Sequence, residues 1–233
     1  MTPSNRAAAP VVRTAKQDQL IREAIRLFSA QSYAGTSIRD LGEALGIKPG
    51  SVYAHIESKQ ALLVRVVEQG IDQYLAATAH LTGPPAQRLR ALVHTHIGVV
   101  ASDIDQALVV YHQWRHIHEP DRRRIVGKRH AYERVIGRIL DEGVATGEFR
   151  LAADKASSVR GILGILNWSP EWLSPDGPAS LATVGEALAR IVLAGVGADH
   201  GAGQFAVART APDSAAGTAE SMVRFPNSQR RPS

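Results

Sequence analysis

The sequence contains no cysteine and no long uninterrupted run of apolar residues. Without thiols the chain can form neither a disulfide framework nor a zinc site built from thiolates. No segment approaches the roughly 18 apolar residues that a membrane-spanning helix needs, and the first residues lack the apolar centre of a signal peptide. These absences predict a cytoplasmic protein that binds no membrane.

Alternating strand patterns are almost absent as well, whereas apolar residues recur at helical spacing along most of the chain. The sequence therefore predicts an all-α fold, and 233 residues suffice for a small domain beside a larger one. The net charge of +5 suits nucleic acid or another anionic partner, but proteins that bind neither also carry such a charge.

Residues 36–63 combine two short helices with the start of a third. Ser37 is a good N-cap, and Asp40 can return a hydrogen bond to its backbone N–H, so a helix is predicted to begin there. Gly46 supplies the left-handed residue that ends this helix, and Pro49 fits the first position of the next. Ser58 caps the third, longer helix. This order predicts a helix-turn-helix motif.

The short second helix of this motif is predicted to present polar residues to its surroundings. Val52 and Ile56 hold it against the core, which leaves these residues facing outward: Lys48, Gly50, Ser51, Tyr53 and His55. Hydroxyls and lysines contact phosphate oxygens, and a helix of this width enters the major groove of DNA. A solvated surface helix is the alternative interpretation of the same residues.

The segment from Ile21 to Gly70 resembles the DNA-binding domain of TetR/AcrR-type repressors. The resemblance rests on an apolar first helix ending near Phe28 and on the residues after it: Gly35, Thr36, Ser37, Ile38, Gly50, Val52, Tyr53, His55, Ser58 and Lys59. It implies a three-helix N-terminal helix-turn-helix domain, a larger helical ligand-binding and dimerisation domain, and a dimer that reads a two-fold DNA operator.

Carried over to this chain, the resemblance implies that Thr36 or Ser37, Tyr53 and Lys59 contact phosphates. It also implies that Lys48, Gly50 and Ser51 lie in the groove near bases. The outward-facing His55 and the basic Lys16 complete the predicted DNA-binding residues. The chain departs from the family at Ile56, where an aromatic residue is usual, and at Glu57, which places a negative charge near the DNA.

Composition divides the chain into four predicted parts. Residues 1–13 are predicted to form a disordered basic arm and residues 14–60 the DNA-binding domain. Residues 61–196 are predicted to form the helical ligand-binding and dimerisation domain, and residues 197–233 a disordered tail. In the larger domain, helices are predicted near 86–101, 104–117, 120–147, 152–168 and 178–196.

Small residues recur on the last two predicted helices at spacings that let backbones approach closely: Ala156, Gly161 and Gly164 on one, Ala182, Gly185 and Ala189 on the other. Such residues fit tight packing within one chain or a four-helix core between two chains. The family resemblance favours the second, a homodimer through residues 152–196.

Trp168 and Trp172 flank Pro170 at a predicted helix end. Together with Trp114-Arg115, Tyr132-Glu133 and Gly147-Glu148-Phe149, they resemble the C-terminal domains of TetR-type repressors of fatty-acid and sterol breakdown. Several members of that group respond to acyl-CoA thioesters. A ligand pocket is therefore predicted, with core packing as the alternative for Trp168. Its residues are Tyr111, Trp114, Arg115, Arg122, Asn167, Trp168 and Trp172.

Between Tyr111 and Leu140 there are eight lysines and arginines but only three acidic residues. Arginine binds phosphate well because its planar fork donates two parallel hydrogen bonds. We hypothesise that CoA phosphates are received by some of Arg115, Arg122, Arg123 and Arg129. A solvated helix face is the alternative for most of these residues.

Histidines raise a competing hypothesis of a metal-responsive regulator. His112 and His116 lie four residues apart, with His118 and Glu119 nearby and His94 and His96 upstream, so a zinc site is conceivable. Ordinary pocket or surface histidines explain the same spacing and no HExxH pattern is present, so no metal is predicted.

No catalytic pattern accompanies these features. There is no Gly-rich phosphate loop and no set of nucleophile, base and orienting residue, and Asp103 and Asp105 fall on different sides of a helix. The chain is predicted to be no enzyme, to need no cofactor, and to act as a homodimeric repressor released from its operator by a small hydrophobic or acyl-CoA-type effector. The alternatives are a helical enzyme or ligand-binding protein with a vestigial helix-turn-helix, and an architectural DNA binder.

Overall fold

The computed structural model describes residues 15–198. The predicted basic arm, and all but the first two residues of the predicted tail, lie outside these described residues. Within them there are nine α-helices and no strand, so the predicted all-α fold is confirmed. None of these helices combines the length and apolarity that crossing a bilayer requires.

The helices follow one another with short connections. Between α6 and α7 lie a π-helical segment, Val109–Gln113, and a 3-10 turn, Trp114–His116, while another 3-10 turn, Ser169–Glu171, follows α8. The helices are α1 (Ala15–Gly35), α2 (Ile38–Ala44), α3 (Pro49–Val52), α4 (Lys59–Ala77), α5 (Pro85–Ser102), α6 (Ile104–Leu108), α7 (Asp121–Thr146), α8 (Lys155–Asn167) and α9 (Leu181–Gly195).

Local signals set the bounds of α2 and the start of α3 as the sequence predicted. The Ser37 hydroxyl accepts a hydrogen bond from the Asp40 N–H at 3.1 Å, and the Asp40 carboxylate accepts one from the Ser37 N–H at 2.7 Å. Gly46 adopts a left-handed conformation with φ of 64°, and Pro49 opens α3. Helix α3 is a single turn, shorter than the predicted recognition helix.

Helix α1 is interrupted near its end at Ser32, whose φ of 67° is unusual for a residue with a side chain. The break is held by neighbouring hydrogen bonds: the Ser32 hydroxyl accepts from the Gly35 N–H, and the Thr36 hydroxyl donates to the Ser32 carbonyl at 2.8 Å. This turn carries the chain from α1 into α2. No pattern in the sequence predicted it.

Two hydrophobic clusters form the interior. The first gathers α1, α2, α3 and most of α4, but it also takes in Val109, Val110, Ile117 and Ile125. The second lies among α5, α7, α8 and α9 and includes Tyr74 of α4. Helix α4 and the segment after α6 therefore belong to both halves, and the core around the helix-turn-helix extends beyond the boundary predicted at residue 60.

The small residues of the last two helices separate into two groups. Gly185 and Ala189 are buried, and a Cβ on Gly185 would lie 2.6 Å from His94 Nδ1, so α9 uses them to pack closely on α5 of the same chain. The others are exposed: Ala156, Gly161, Gly164 and Ala182. At Gly185, therefore, the predicted close approach of backbones is an approach between two helices of the same chain.

Candidate nucleic-acid interface and ligand cavity

Helix α3 and the turn after it present an exposed polar surface. Val52 is fully buried, whereas Tyr53 is 56% exposed, and Lys48, Gly50 and Ser51 are exposed beside it. His55 is half-buried at the edge of this surface. The arrangement has the buried and exposed sides that the sequence predicted, and it leaves these side chains accessible to a major groove.

Other predicted DNA-binding residues have roles inside the protein. Thr36 is 1% exposed and its hydroxyl donates to the Leu27 and Ser32 carbonyls. The Ser37 hydroxyl is the cap of α2. Of this pair only Ser37 is exposed, so a phosphate contact through the Thr36 side chain would require rearrangement. Lys16 is exposed on the first turn of α1.

Lys59, at the start of α4, is hydrogen-bonded to the turn between α1 and α2. Its ammonium donates to the Tyr33 carbonyl at 2.9 Å and the Thr36 carbonyl at 2.7 Å, and it lies 4.2 Å from the centre of the Tyr33 ring. Two of its three N–H bonds are therefore used within the chain. Its predicted contact with phosphate stays a prediction.

The helix-turn-helix region is hydrogen-bonded to the segment around α6. The Tyr33 N–H donates to the Gln113 side chain at 3.0 Å, and the Ser29 hydroxyl donates to Asp105 at 2.8 Å. Gly70 of α4 allows close contact with the π-helical segment, since a Cβ there would lie 2.4 Å from a methyl carbon of Val110.

A small cavity of about 40 Å³ lies beside that segment and α4. Tyr111 and Asn167, two of the predicted ligand residues, line it. Residues that the sequence did not predict also line it: Ile71, Tyr74, His96, Val110, Arg129, Tyr132, Glu133 and Leu163. They come from α4, α5, α7, α8 and the π-helical segment.

The polar centre of this cavity is His96, which is 1% exposed. Its Nδ1 lies 2.9 Å from the Tyr132 hydroxyl and its Nε2 lies 3.0 Å from the Tyr111 hydroxyl. Burial lowers the pKa of His96 to about 3 and raises the pKa of Tyr132, so both side chains are uncharged at neutral pH. The position of His96 within the apolar stripe Leu92, Val93, Ile97 and Val100 was a sequence signal for burial.

Beside the cavity, three arginines surround Trp114. The guanidinium carbons of Arg129, Arg122 and Arg115 lie 4.6, 5.6 and 5.9 Å from the centre of the indole. None of the three has an ion-pair partner among residues 15–198, and burial lowers the pKa of Arg129. Like charges repel, so this grouping favours an anion.

Three of the other five cations of this basic stretch are paired with carboxylates. Arg123 pairs with Glu119 at 3.0 Å, Arg124 with Glu68 at 2.6 Å, and Lys128 with Asp72 at 2.7 Å. The hypothesis that Arg123 receives phosphate is therefore less favoured than the same role for the three arginines around Trp114.

The ion pairs of Arg124 and Lys128 also lie in a wide groove of about 1120 Å³ beside α4 and the start of α7. Because Arg124 and Lys128 are already paired with carboxylates that also line the groove, they offer little unbalanced charge to a ligand. Its size alone therefore does not make it the better candidate.

Trp168 and Trp172 do not line the cavity, although the sequence suggested a pocket wall or mouth. They are 60% and 49% exposed, respectively. Helix α8 ends at Asn167, and the 3-10 turn that follows carries both indoles to the surface. The alternative of core packing for Trp168 is also wrong in the described structure.

The histidines considered for a metal site have separate partners. His94 pairs with Glu186 at 3.2 Å, His112 with Glu171 at 2.7 Å, and His96 lies between its two tyrosines. Across residues 15–198 no three potential metal ligands lie together. Asp103 caps α6 and Asp105 accepts from Ser29, so each of these carboxylates has a partner within the fold.

The sequence matches two family models that together span most of it. Residues 20–66 match bacterial regulatory proteins of the tetR family, and residues 82–196 match the tetracyclin repressor-like C-terminal domain. The helix-turn-helix falls in the first of these regions, and most of the residues that line the cavity fall in the second.

Individual proteins resemble the chain over nearly their whole length. An HTH-type transcriptional repressor, KstR2 of Mycolicibacterium smegmatis, is 26% identical over 82% of this chain and 96% of its own. The TetR-family regulator PfmR of Thermus thermophilus superposes with a TM-score of 0.70 at 28% identity, covering 77% of this chain and 99% of its own. AibR, solved with isovaleryl coenzyme A and operator DNA, gives a TM-score of 0.69 at 22% identity, covering 76% of this chain and 97% of its own.

Proposed function

Because the chain belongs to the TetR family of bacterial regulatory proteins, we propose that it is a homodimeric repressor which an acyl-CoA thioester releases from its operator. Its class is that of ligand-responsive, DNA-binding regulators of transcription, and its relatives are regulators rather than enzymes. An operator on the chromosome places such a repressor in the cytoplasm.

The three unpaired arginines around Trp114 carry the effector assignment. A CoA thioester has several phosphate charges at one end and an acyl group at the other. Arg115 and Arg122 are exposed, whereas Arg129 both contacts Trp114 and lines the cavity. Phosphates at the exposed arginines and an acyl group in the cavity would use both features. AibR, which shares this fold, was solved with isovaleryl coenzyme A.

Calorimetry with short acyl-CoAs, free CoA and the corresponding acids tests this assignment. We expect the thioester to bind at least about tenfold more tightly than the free acid, because only the thioester brings phosphates. Arg115→Ala and Arg122→Ala should remove most of this advantage. Arg138→Ala is the matched control, because Arg138 is an exposed arginine of α7 that lies outside the group around Trp114. Equal affinity for acid and thioester would rule the assignment out.

Ligand entry supplies a reason for release from DNA. A cavity of about 40 Å³ holds no more than a few water molecules, so an acyl group must displace the elements that line it. Two of them, α4 and the π-helical segment, also contact the helix-turn-helix. A ligand that favours the displaced arrangement lowers DNA affinity, and DNA must weaken ligand binding by the same factor.

Selection of genomic DNA fragments tests the DNA half of the proposal. We expect recovery of a palindrome whose half-sites are one helical turn or a multiple of it apart, bound far more tightly than random duplex. Acyl-CoA should release the fragment. Binding of every duplex with similar affinity would favour an architectural binder instead.

The exposed faces of α8 and α9 support the homodimer. Ile191 of α9 is 56% exposed, Trp168 and Trp172 are exposed just after the end of α8, and Gly161 and Gly164 leave α8 without bulk on its exposed face. An apolar surface with small residues suits close packing against the same surface of a second copy. We therefore assign dimerisation to residues 152–196.

A further inference from the structure

The wall of the cavity holds three tyrosine hydroxyls around the buried His96 ring. Tyr132 and Tyr111 each bond one nitrogen of His96, at 2.9 and 3.0 Å. The hydroxyl of Tyr74 is buried close enough to the Tyr111 hydroxyl for the two groups to affect each other's pKa, but within residues 15–198 it is not in hydrogen-bonding geometry with any partner. The other polar residues of the cavity are Arg129, Glu133 and Asn167, and among residues 15–198 none of them makes a hydrogen bond to these three hydroxyls.

The protons of this cluster can be counted. The His96 ring is neutral, since burial lowers its pKa to about 3. A neutral imidazole has one N–H and one bare nitrogen, so one tyrosine donates to the ring and the other accepts from it. The accepting tyrosine keeps its own hydroxyl proton, and Tyr74 keeps its proton too. Even if Tyr74 and Tyr111 moved into hydrogen-bonding contact, at least one hydroxyl proton would remain without an acceptor among these four side chains.

Unmet donors in a buried site discriminate between ligands. A ligand oxygen that accepts a hydrogen bond satisfies a group that would otherwise stay desolvated and unpaired, whereas a methyl group leaves it unpaired. A carbonyl oxygen has two lone pairs and can accept from two hydroxyls at once. The cavity therefore distinguishes ligands by an oxygen as well as by size.

We propose that the part of the effector that enters the cavity presents a carbonyl or carboxylate oxygen to Tyr74 and to Tyr111 or Tyr132. The inference rests on the proposed function, because it takes this cavity as the effector site. In a CoA derivative the oxygen has two sources, the thioester carbonyl or a second oxygen on the acyl chain. Three compounds of matched length separate these sources: S-butyl-CoA, butyryl-CoA and 3-oxobutyryl-CoA.

Calorimetry with the three compounds gives the first test. If the thioester oxygen is the acceptor, butyryl-CoA should bind about tenfold or more tightly than S-butyl-CoA. If the acyl oxygen is the acceptor, 3-oxobutyryl-CoA should exceed butyryl-CoA by a similar factor. In either case Tyr74→Phe should shrink the difference. Equal affinity for all three compounds overturns the inference while leaving the acyl-CoA assignment intact.

Unfolding of the free protein gives a second test that needs no effector. Tyr132→Phe removes a hydroxyl that is bonded to His96, so the melting temperature should fall by several degrees. Tyr74→Phe removes a hydroxyl without a partner, so the melting temperature should stay the same or rise. If Tyr74→Phe is as destabilising as Tyr132→Phe, the Tyr74 donor is already satisfied and the inference is wrong.

The two tests also separate this inference from the proposed function. If none of the three compounds binds while the protein still binds its operator, the acyl-CoA assignment fails. A Tyr74→Phe variant as destabilised as Tyr132→Phe would then still overturn the inference, because it would show that the Tyr74 donor is already satisfied.

Discussion

Lys48 and Lys59 carry the same charge in different surroundings. Lys48 is exposed at the start of α3 and makes no contact that would hold its ammonium, whereas the Lys59 ammonium donates to two carbonyls at the break in α1. A lysine whose donors are used within the chain stabilises the fold, and a lysine on an open surface is available to DNA. The two roles make opposite predictions for stability and for DNA affinity.

Lys59→Met should lower the free energy of unfolding by about 1–3 kcal/mol, because two carbonyls lose a charged donor. Lys48→Ala should change it by less than about 0.5 kcal/mol but weaken operator binding. Urea denaturation and DNA titration of both variants provide the measurements. A Lys59→Met protein as stable as the wild type would show that the two hydrogen bonds contribute little.

His96 connects the cavity to a pH dependence of stability. Its pKa falls to about 3 in the folded protein, whereas a histidine in the unfolded chain has its usual pKa near 6.5. Below pH 6.5 the unfolded state therefore binds a proton that the folded state does not. The contribution of His96 to stability is present above pH 6.5 and is lost as the pH falls toward 3.

Between pH 7 and pH 5 this effect should cost the wild type about 2 kcal/mol of unfolding free energy. His96→Gln does not titrate there, so it should show a correspondingly smaller loss over the same interval. Denaturation curves at several pH values measure the difference. Parallel pH profiles for the two proteins would contradict the neutral, buried state of His96.

At the scale of elements, the contact between α4 and the π-helical segment joins the two halves of the chain. Gly70 permits it, since any side chain there would overlap Val110, and Val110 is itself fully packed. The same segment places Tyr111 in the cavity and Gln113 on α1. Two residues of one short segment, two positions apart, thus face the ligand site and the helix-turn-helix.

Gly70→Ala should destabilise the protein by about 1–3 kcal/mol through overpacking, although alanine is the better helix former. Gly98→Ala is the matched control, because Gly98 lies exposed within α5 and a Cβ there would meet no atom within 4 Å. That change should stabilise the protein by about 0.5–1 kcal/mol. Thermal unfolding of the Gly70→Ala and Gly98→Ala variants measures the two changes in stability. Stabilisation by both changes would show that Val110 can shift at little cost.

For the whole molecule, regulation depends on the coupling of two sites. The element that connects the two sites is the segment from α6 to Gln113. The Gln113 side chain accepts a hydrogen bond from the Tyr33 N–H at 3.0 Å. Tyr33 in turn lies against Lys59, which holds the turn into α2. Displacement of this segment by a ligand would therefore reach the helix-turn-helix through the hydrogen bonds that Tyr33 makes with Gln113 and Lys59.

Gln113→Leu should reduce the factor by which an effector weakens operator binding, because the side chain no longer accepts from Tyr33. Coupling free energies in such proteins are about 1–3 kcal/mol, so a loss of severalfold is expected. The measurement is operator affinity with and without saturating effector. Glu171→Gln, which alters the neighbouring contact of His112 instead, is the control. An unchanged ratio in Gln113→Leu would place the coupling elsewhere.

Dimerisation through residues 152–196 makes a further prediction at this scale. Ile191→Glu puts a charge on the exposed face of α9 and should weaken self-association at least about tenfold. Val144→Glu changes a side chain of α7 that is 49% exposed and lies outside this region, so it should have little effect. Analytical ultracentrifugation provides the comparison. A dimer unaffected by Ile191→Glu would place the interface on another surface.

The sequence by itself determined the helical class and where the helices of the helix-turn-helix begin. Caps, a left-handed glycine and a proline at a first helical position act within a few residues, so Ser37, Gly46, Pro49 and Ser58 could be recognised without the fold. The family resemblance was also carried by such local residues, and it is confirmed.

Tertiary structure decided the cavity and the connections between the two halves. His96, Tyr74 and Tyr132 come from three helices, and only packing brings them to hydrogen-bonding distance or leaves a hydroxyl without a partner. Packing also determines which cations have carboxylate partners, and it leaves Trp168 and Trp172 exposed at the surface. Local patterns determine where a helix begins. Which side chains come into contact depends on how the helices pack, and packing depends on residues from several helices at once.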